Sequence, residues 1–164
     1  MSNIFLEILD EQEMLDVPAE TIRLLAVRIL EDAGIVAGML SIVLVDNATI
    51  HELNKQFLQH DYPTDVISFR IEEDAENNYL EGEIVVSAEM ARERAPEFGW
   101  LPAHELLLYI VHGILHLVGF DDAESDDRQL MRQKEQEYLG SVGIAPPPME
   151  ADDEDDSTDE YPSN

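Results

Sequence analysis

The run Leu106-Leu107-Leu108-Tyr109-Ile110-Val111-His112-Gly113-Ile114-Leu115-His116-Leu117-Val118 constrains this chain more than any other stretch. It is apolar on every side of a helical wheel, and a helix of that kind has to be buried. At 13 residues, with two histidines inside it, it is too short and too polar to span a membrane. Pro102 opens the helix, where a missing N–H costs nothing. Gly119 closes it, since glycine adopts the left-handed conformation of a helix end freely. His112 and His116 are four apart and therefore stand one above the other on one helix face. Both imidazoles can reach one divalent metal, at about 2.0–2.1 Å per zinc–nitrogen bond. A chain turning back at Gly119 brings Asp121 or Asp122 to the same ion as a third ligand. Three protein ligands and one open position make a catalytic zinc site, whereas a structural site fills all four. The competing explanation is a pair of hydrogen-bonded core histidines.

The chain has no cysteine, so it forms no disulfides and any metal site must use histidine and carboxylate. Its 164 residues suit one domain with one core. No basic segment followed by an apolar core opens the chain, which predicts no signal peptide and a cytoplasmic location. Nine Lys and Arg stand against 37 Asp and Glu, a net charge of −28, which on its face opposes nucleic-acid binding. Eight of the acids lie in Met149–Asn164; the other 29 against 9 bases still leave about −20. Such a charge fits a salt-rich cytoplasm, where repulsion is screened within a few Å, or a merely acidic protein with one local basic or metal-bearing groove.

Periodicity and punctuation predict the elements in order. Ile4 to Leu9 reads as a strand. A helix follows from Pro18 to about Ala33, with Asp16 as its N-cap, Gly34 as its stop and Ile22, Leu25, Ala26 and Ile29 on one face. Ser41 to Val45 is a second strand. Asp46-Asn47 then caps a helix, Ala48 to about Phe57, in which Ile50, Leu53 and Phe57 share a face. The turn Asp61-Tyr62-Pro63-Thr64 leads into the strand Val66–Ile71. A polar loop, Glu72 to Asn78, connects it to the strand Tyr79–Val86, with Gly82 marking a bulge or a close approach. Ser87 caps a helix running to about Phe98, unless Pro96 ends it a turn sooner. After the Pro102 helix, Ala123 to about Leu139 forms the last one, with Leu130, Met131 and Tyr138 inward and Gly140 as its end. The fold class is α+β: one domain over residues 1–145, with a mixed sheet of about four strands and helices packed over it. From residue 146 a proline run and an acid run predict a disordered tail to residue 164.

The His112–Asp122 stretch resembles the signature of the YbeY family, His-Gly-x-Leu-His-Leu-x-Gly-Tyr-Asp-His. It matches at His112, Gly113, Leu115, His116, Leu117, Gly119 and Asp121. Phe120 stands for the tyrosine, and Asp122 stands for the third histidine. A second signature, Leu-Asn-x-x-Tyr-Arg-x-x-Asp-x-Pro-Thr-Asp-Val-Leu-Ser-Phe, is matched at Leu53-Asn54 and along Asp61-Tyr62-Pro63-Thr64-Asp65-Val66-Ile67-Ser68-Phe69. With Gly82-Glu83-Ile84 and Ser87, the resemblance spans roughly residues 40–139. The family's arginine falls on Leu58, which cannot hold a phosphate. Arg70 is the nearest cation downstream and a candidate substitute, with a solvated surface arginine as the alternative. Asp65 and Ser68 are candidate catalytic residues, although turn capping and strand hydrogen bonding explain them equally well.

The resemblance implies a zincin-like fold with the metal site on a central helix, and the strand of the second signature as one wall of the substrate groove. It implies a zinc-dependent, single-strand-specific endoribonuclease that matures the 3′ end of 16S rRNA and acts in ribosome quality control. Its partners would be rRNA and the small ribosomal subunit, with no membrane; the sequence sets no oligomeric state. The implied cofactor is one Zn²⁺ per chain, held by His112, His116 and Asp122, with Asp121 supporting or replacing the third ligand. Asp122 in place of an imidazole lowers the net charge of a divalent site from +2 to +1 and opens it to harder metals. A His₂–carboxylate shell is nevertheless a working set in zinc hydrolases. In metalloproteases of the His-Glu-x-x-His type a glutamate follows the first histidine; here that position is Gly113, which argues against that type. Two other classes stay open: a metal-dependent hydrolase with another substrate, and a ribosome-assembly binding protein with a structural metal. His51, His60 and His104 are assigned to the surface or to supporting hydrogen bonds, and Trp100 and Phe98 to core or loop packing.

Overall fold

The computed structural model describes residues 2–147; residues 148–164, most of the predicted tail, lie outside the described residues. The elements run β1 Asn3–Asp10, α1 Ala19–Asp32, β2 Ala37–Val45, α2 Asn47–Leu58, β3 Val66–Asp74, a 3₁₀ turn at Ala75–Asn77, β4 Tyr79–Ser87, α3 Ala88–Phe98, α4 Pro102–Leu117 and α5 Ser125–Gly140. This is the predicted α+β order. The four strands form one mixed sheet in the order β1-β2-β4-β3. β1 pairs with β2 and β2 with β4 in parallel, while β3 returns antiparallel to β4. Gly82 marks a close approach, where a Cβ would lie 3.0 Å from a Leu117 methyl carbon, while the bulge lies on the facing strand, between Arg70 and Glu72.

α4 is the centre of the molecule. Leu106, Leu107, Ile110, Val111, Ile114 and Leu115 are all buried, on every side of the helix, and it packs against α1, α3, α5, β3 and β4. One core joins these residues to Ile22, Leu25 and Ile29 of α1 and to Leu40, Ile42 and Leu44 of β2. Truncating any one of the largest to alanine costs about 2–5 kcal/mol. A smaller cluster on the other face of the sheet packs Val43, Val45, Ile50, Ile67 and Val85 under α2.

The structure corrects several local expectations. Asp16 does not cap α1: the N-cap position is Pro18, whose carbonyl takes the Ile22 N–H at 3.0 Å, and Asp16 lies two residues upstream. Gln12 instead orders that approach by accepting the N–H groups of Met14 and Leu15. Asp46 and Ser87 do cap their helices, accepting from Thr49 and Met90. Pro96 does not shorten α3, because it sits in the last turn and its missing N–H removes a single bond. Leu130 is exposed rather than inward; the buried stripe of α5 is Met131, Glu135, Tyr138 and Leu139. α5 ends at Gly140, as the sequence predicts. Among the described residues, no single helix is long and apolar enough to cross a membrane.

Candidate metal centre

The site begins with the end of α4. Gly119 takes φ +111°, a conformation that strains any other L-residue, and the chain reverses there. The N–H groups of Gly119 and Phe120 bond back to the carbonyls of His116 and Leu115 at 3.1 and 3.0 Å. The next two residues therefore return beneath the last turns of α4. Asp121 Oδ1 accepts the N–H of Asp122 at 2.8 Å and shapes that return.

Three ligating side chains converge as a result. The rings of His112 and His116 meet edge to face with centroids 4.8 Å apart. Asp122 faces both: Oδ2 lies 3.4 Å from His112 Nε2, and Oδ1 lies 3.5 Å from His116 Nε2. One ligand atom from each of the three lies within 4.8 Å of the others. Atoms held tetrahedrally at zinc distances of about 2.0–2.2 Å stand about 3.3–3.6 Å apart. The nitrogen–oxygen spacings seen here are of that size and end on the two oxygens of one carboxylate, so two imidazoles and a carboxylate stand together within reach of one divalent ion. The donor set, two imidazoles and a carboxylate, suits zinc and also harder divalent metals.

Burial and charge act strongly here. Burial alone would push the His112 imidazolium down, but hydrogen bonds and charge from Asp122 and Glu135 outweigh it and raise the group to about 10. Burial likewise opposes ionisation of Asp122, yet hydrogen bonds and charge from His112 and His116 hold it well below the usual carboxylate range. In the metal-free protein a proton thus takes the place of the cation.

Glu135 was not anticipated. Its Oε2 lies 2.6 Å from His112 Nδ1, inside the α4–α5 contact. The signal existed in the sequence: an acid four residues after Met131 and three before Tyr138 falls within an inward stripe.

The other candidates sit around this group. Ser68 donates to the Gly113 carbonyl at 2.9 Å, so β3 lies against the metal helix as the resemblance implied. Arg70 donates to the carbonyls of Leu117 at 2.7 Å and His116 at 3.4 Å, capping α4, and stands 3.7 Å from Glu73. Ser68, Arg70, His116, Gly119, Phe120 and Asp121 line a cavity of about 300 Å³, which His116 joins to the histidine pair. Asp65 lies outside the three-residue group; its Oδ1 accepts the Val66 N–H at 2.8 Å and the Thr64 hydroxyl at 3.4 Å, the bonds of a turn cap. Leu58 packs against the smaller apolar cluster. His51 pairs with Asp61, His60 stacks on Tyr62, and His104 meets Trp100 edge-on, all outside the metal group. Trp100 Nε1 donates to the buried Glu105 at 2.7 Å, a packing role, while Phe98 is exposed.

Position 113 has no room for a side chain. A Cβ there would lie 2.9 Å from Val66 Cγ2 and 3.3 Å from the Ser68 hydroxyl, so the place of the protease glutamate faces the sheet.

Comparison with known proteins identifies the family. The family model described as Endoribonuclease YbeY matches residues 7–143. The protein named Endoribonuclease YbeY from Rhodopirellula baltica is 45% identical over 133 residues, covering 77% of this chain and 68% of that one. Its namesake from Salinibacter ruber is 39% identical over 137 residues, covering 80% and 87%. The Bacillus licheniformis protein of the same name is 34% identical over 154 residues, covering 87% and 98%. The solution structure of TM1509 from Thermotoga maritima superposes with a TM-score of 0.57 at 28% identity, covering 84% of this chain and 91% of that one. With the family model spanning most of its length, this chain belongs to the YbeY endoribonuclease family.

Proposed function

We propose that this protein is a zinc-dependent, single-strand-specific endoribonuclease of the cytoplasm that acts on the 3′ end of 16S rRNA in maturation and ribosome quality control. The observation that carries the metal and hydrolytic part is the convergence of His112, His116 and Asp122 beside a cavity. The RNA substrate, the ribosomal partner and the quality-control role rest on family membership.

His112, His116 and Asp122 would hold the ion. When bound, zinc acidifies water towards neutral pH, polarises a phosphoryl oxygen and offsets charge as the bond breaks. The chain's own residues do the rest. Among the described residues three protein donors converge, and a set of three is the mark of a catalytic site that keeps a position for a reactant. Arg70, anchored on the carbonyls at the end of α4, fixes one positive charge in the cavity of a strongly acidic protein, where it meets substrate phosphate. Ser68 holds β3 on α4 and so keeps the cavity wall in place. Asp65 organises the turn into β3.

Leu58 favours a second reading, a metal-dependent hydrolase with another substrate, because an apolar side chain packs where the family carries arginine. Cleavage of single-stranded RNA, duplex RNA and an unstructured peptide by wild type and His116→Ala, with added zinc and across a range of salt, separates the readings. The proposal expects single-stranded RNA alone to be cut, and only by wild type. Peptide cleavage supports the second reading. No cleavage by metal-loaded wild type at any salt leaves a ribosome-assembly binding protein with a structural metal.

A further inference from the structure

The last helix carries a charged group that the proposed chemistry does not use. Glu135 is buried between Met131 and Leu139 on the inward stripe of α5. Its neighbour Lys134 pairs with Glu137 at 3.5 Å and lies over the Phe120 ring, 6.0 Å from its centroid. Among the described residues the ion-pair partner of Glu135 is His112, at 2.6 Å through Nδ1. The same ring turns Nε2 toward Asp122. An imidazole has two nitrogens, and the one that holds a proton for a carboxylate leaves the other as the ligand.

We propose that Glu135 is a positioning residue for the metal centre: by accepting the Nδ1–H of His112 it fixes the ring's tautomer and rotation, presents Nε2 to the ion and makes α5 part of the site. This rests on the metal reading above. The geometry supports it on two counts. A carboxylate buried in an apolar stripe needs a partner of opposite character, and His112 supplies one whether a proton or a metal sits on its far side. His112 is also held from two elements, α5 on Nδ1 and the Gly119 turn on Nε2, so its ring cannot rotate without losing one of them.

The test is zinc affinity, measured by competition with a chromophoric chelator, for the full chain and its Glu135→Gln, Glu135→Leu and His116→Ala variants. Wild type binding one zinc per chain, with affinity lost in His116→Ala, establishes the metal reading independently. The inference then expects Glu135→Leu, which keeps the packing volume, to weaken binding about 10–100-fold. Glu135→Gln, which still accepts the Nδ1–H, should lose less. Equal zinc affinity in wild type and Glu135→Leu overturns the inference and leaves Glu135 a strut between helices, whatever happens to thermal stability. In ¹⁵N spectra of the zinc-loaded wild type, His112 should show a protonated Nδ1 and a metal-bound Nε2. Zinc on Nδ1 overturns the inference as well.

Discussion

The Ser68 hydroxyl donates to the Gly113 carbonyl at 2.9 Å, joining residues 45 apart in sequence and tying the edge of the sheet to the helix that carries both histidines. The contact needs a glycine, because a Cβ at position 113 would lie 2.9 Å from Val66 Cγ2. Valine is stiff about χ1 and cannot swing aside.

Gly113→Ala should therefore destabilise the fold by about 1–3 kcal/mol through overpacking, despite the better helix propensity of alanine. Urea denaturation of the variant checks this. Unchanged or raised stability would mean that α4 and β3 do not approach as closely as described.

Asp122→Ala should cost about tenfold or more in zinc affinity, because it removes a donor that faces both histidines. Asp121→Ala should change affinity much less, since its carboxylate shapes the turn. Equilibrium competition for zinc ranks the two variants, and the reverse ranking would make Asp121 the ligand.

The metal-free site sets a pH dependence of stability. His112 is raised to about 10 in the folded state, above about 6.5 unfolded, so its contribution is fully present below pH 6.5 and lost as pH climbs toward 10. Asp122 is lowered, so its contribution is present above about pH 4 and lost as pH falls further. Metal-stripped protein should be most stable between these limits, and His112→Ala should flatten the alkaline limb. Zinc has to displace the His112 proton, so apparent affinity should rise from pH 6 to pH 9. Urea titrations and zinc titrations across that range measure both effects.

A net charge of −28 repels itself in the compact state. Raising KCl from 0.1 to 1 M shortens the screening length from about 10 to about 3 Å, so the melting temperature should rise. A melting temperature indifferent to salt would remove the case for a salt-adapted chain.

The elements were legible where one residue pattern decides them. The all-round apolar run of α4 could only be a buried helix, and the histidine spacing put both rings on one side of it. Gly119 foretold the return that delivers Asp122. Other features depend on partners distant in sequence. Ala37-Gly38-Met39 carries little strand character, yet β2 begins at Ala37 because β1 and β4 pair with it on both sides. β3 runs to Asp74 through acidic residues for a related reason, its pairing with β4. Glu135 falls on the inward stripe of α5 by its spacing, but its partner, His112 on another helix, appears only when α4 and α5 are side by side. Arg70 was legible as the nearest cation, but its grip on the carbonyls at the end of α4 appears only when β3 and α4 are side by side.

The most direct test strips the purified protein of metal and returns zinc stepwise while single-stranded RNA cleavage and bound zinc are followed together. The account predicts no cleavage at zero zinc, activity rising in proportion to bound ion and saturating at one per chain, and neither in His116→Ala. Cleavage that survives complete stripping, or that persists in His116→Ala, would contradict a metal centre at His112, His116 and Asp122 as the source of the activity.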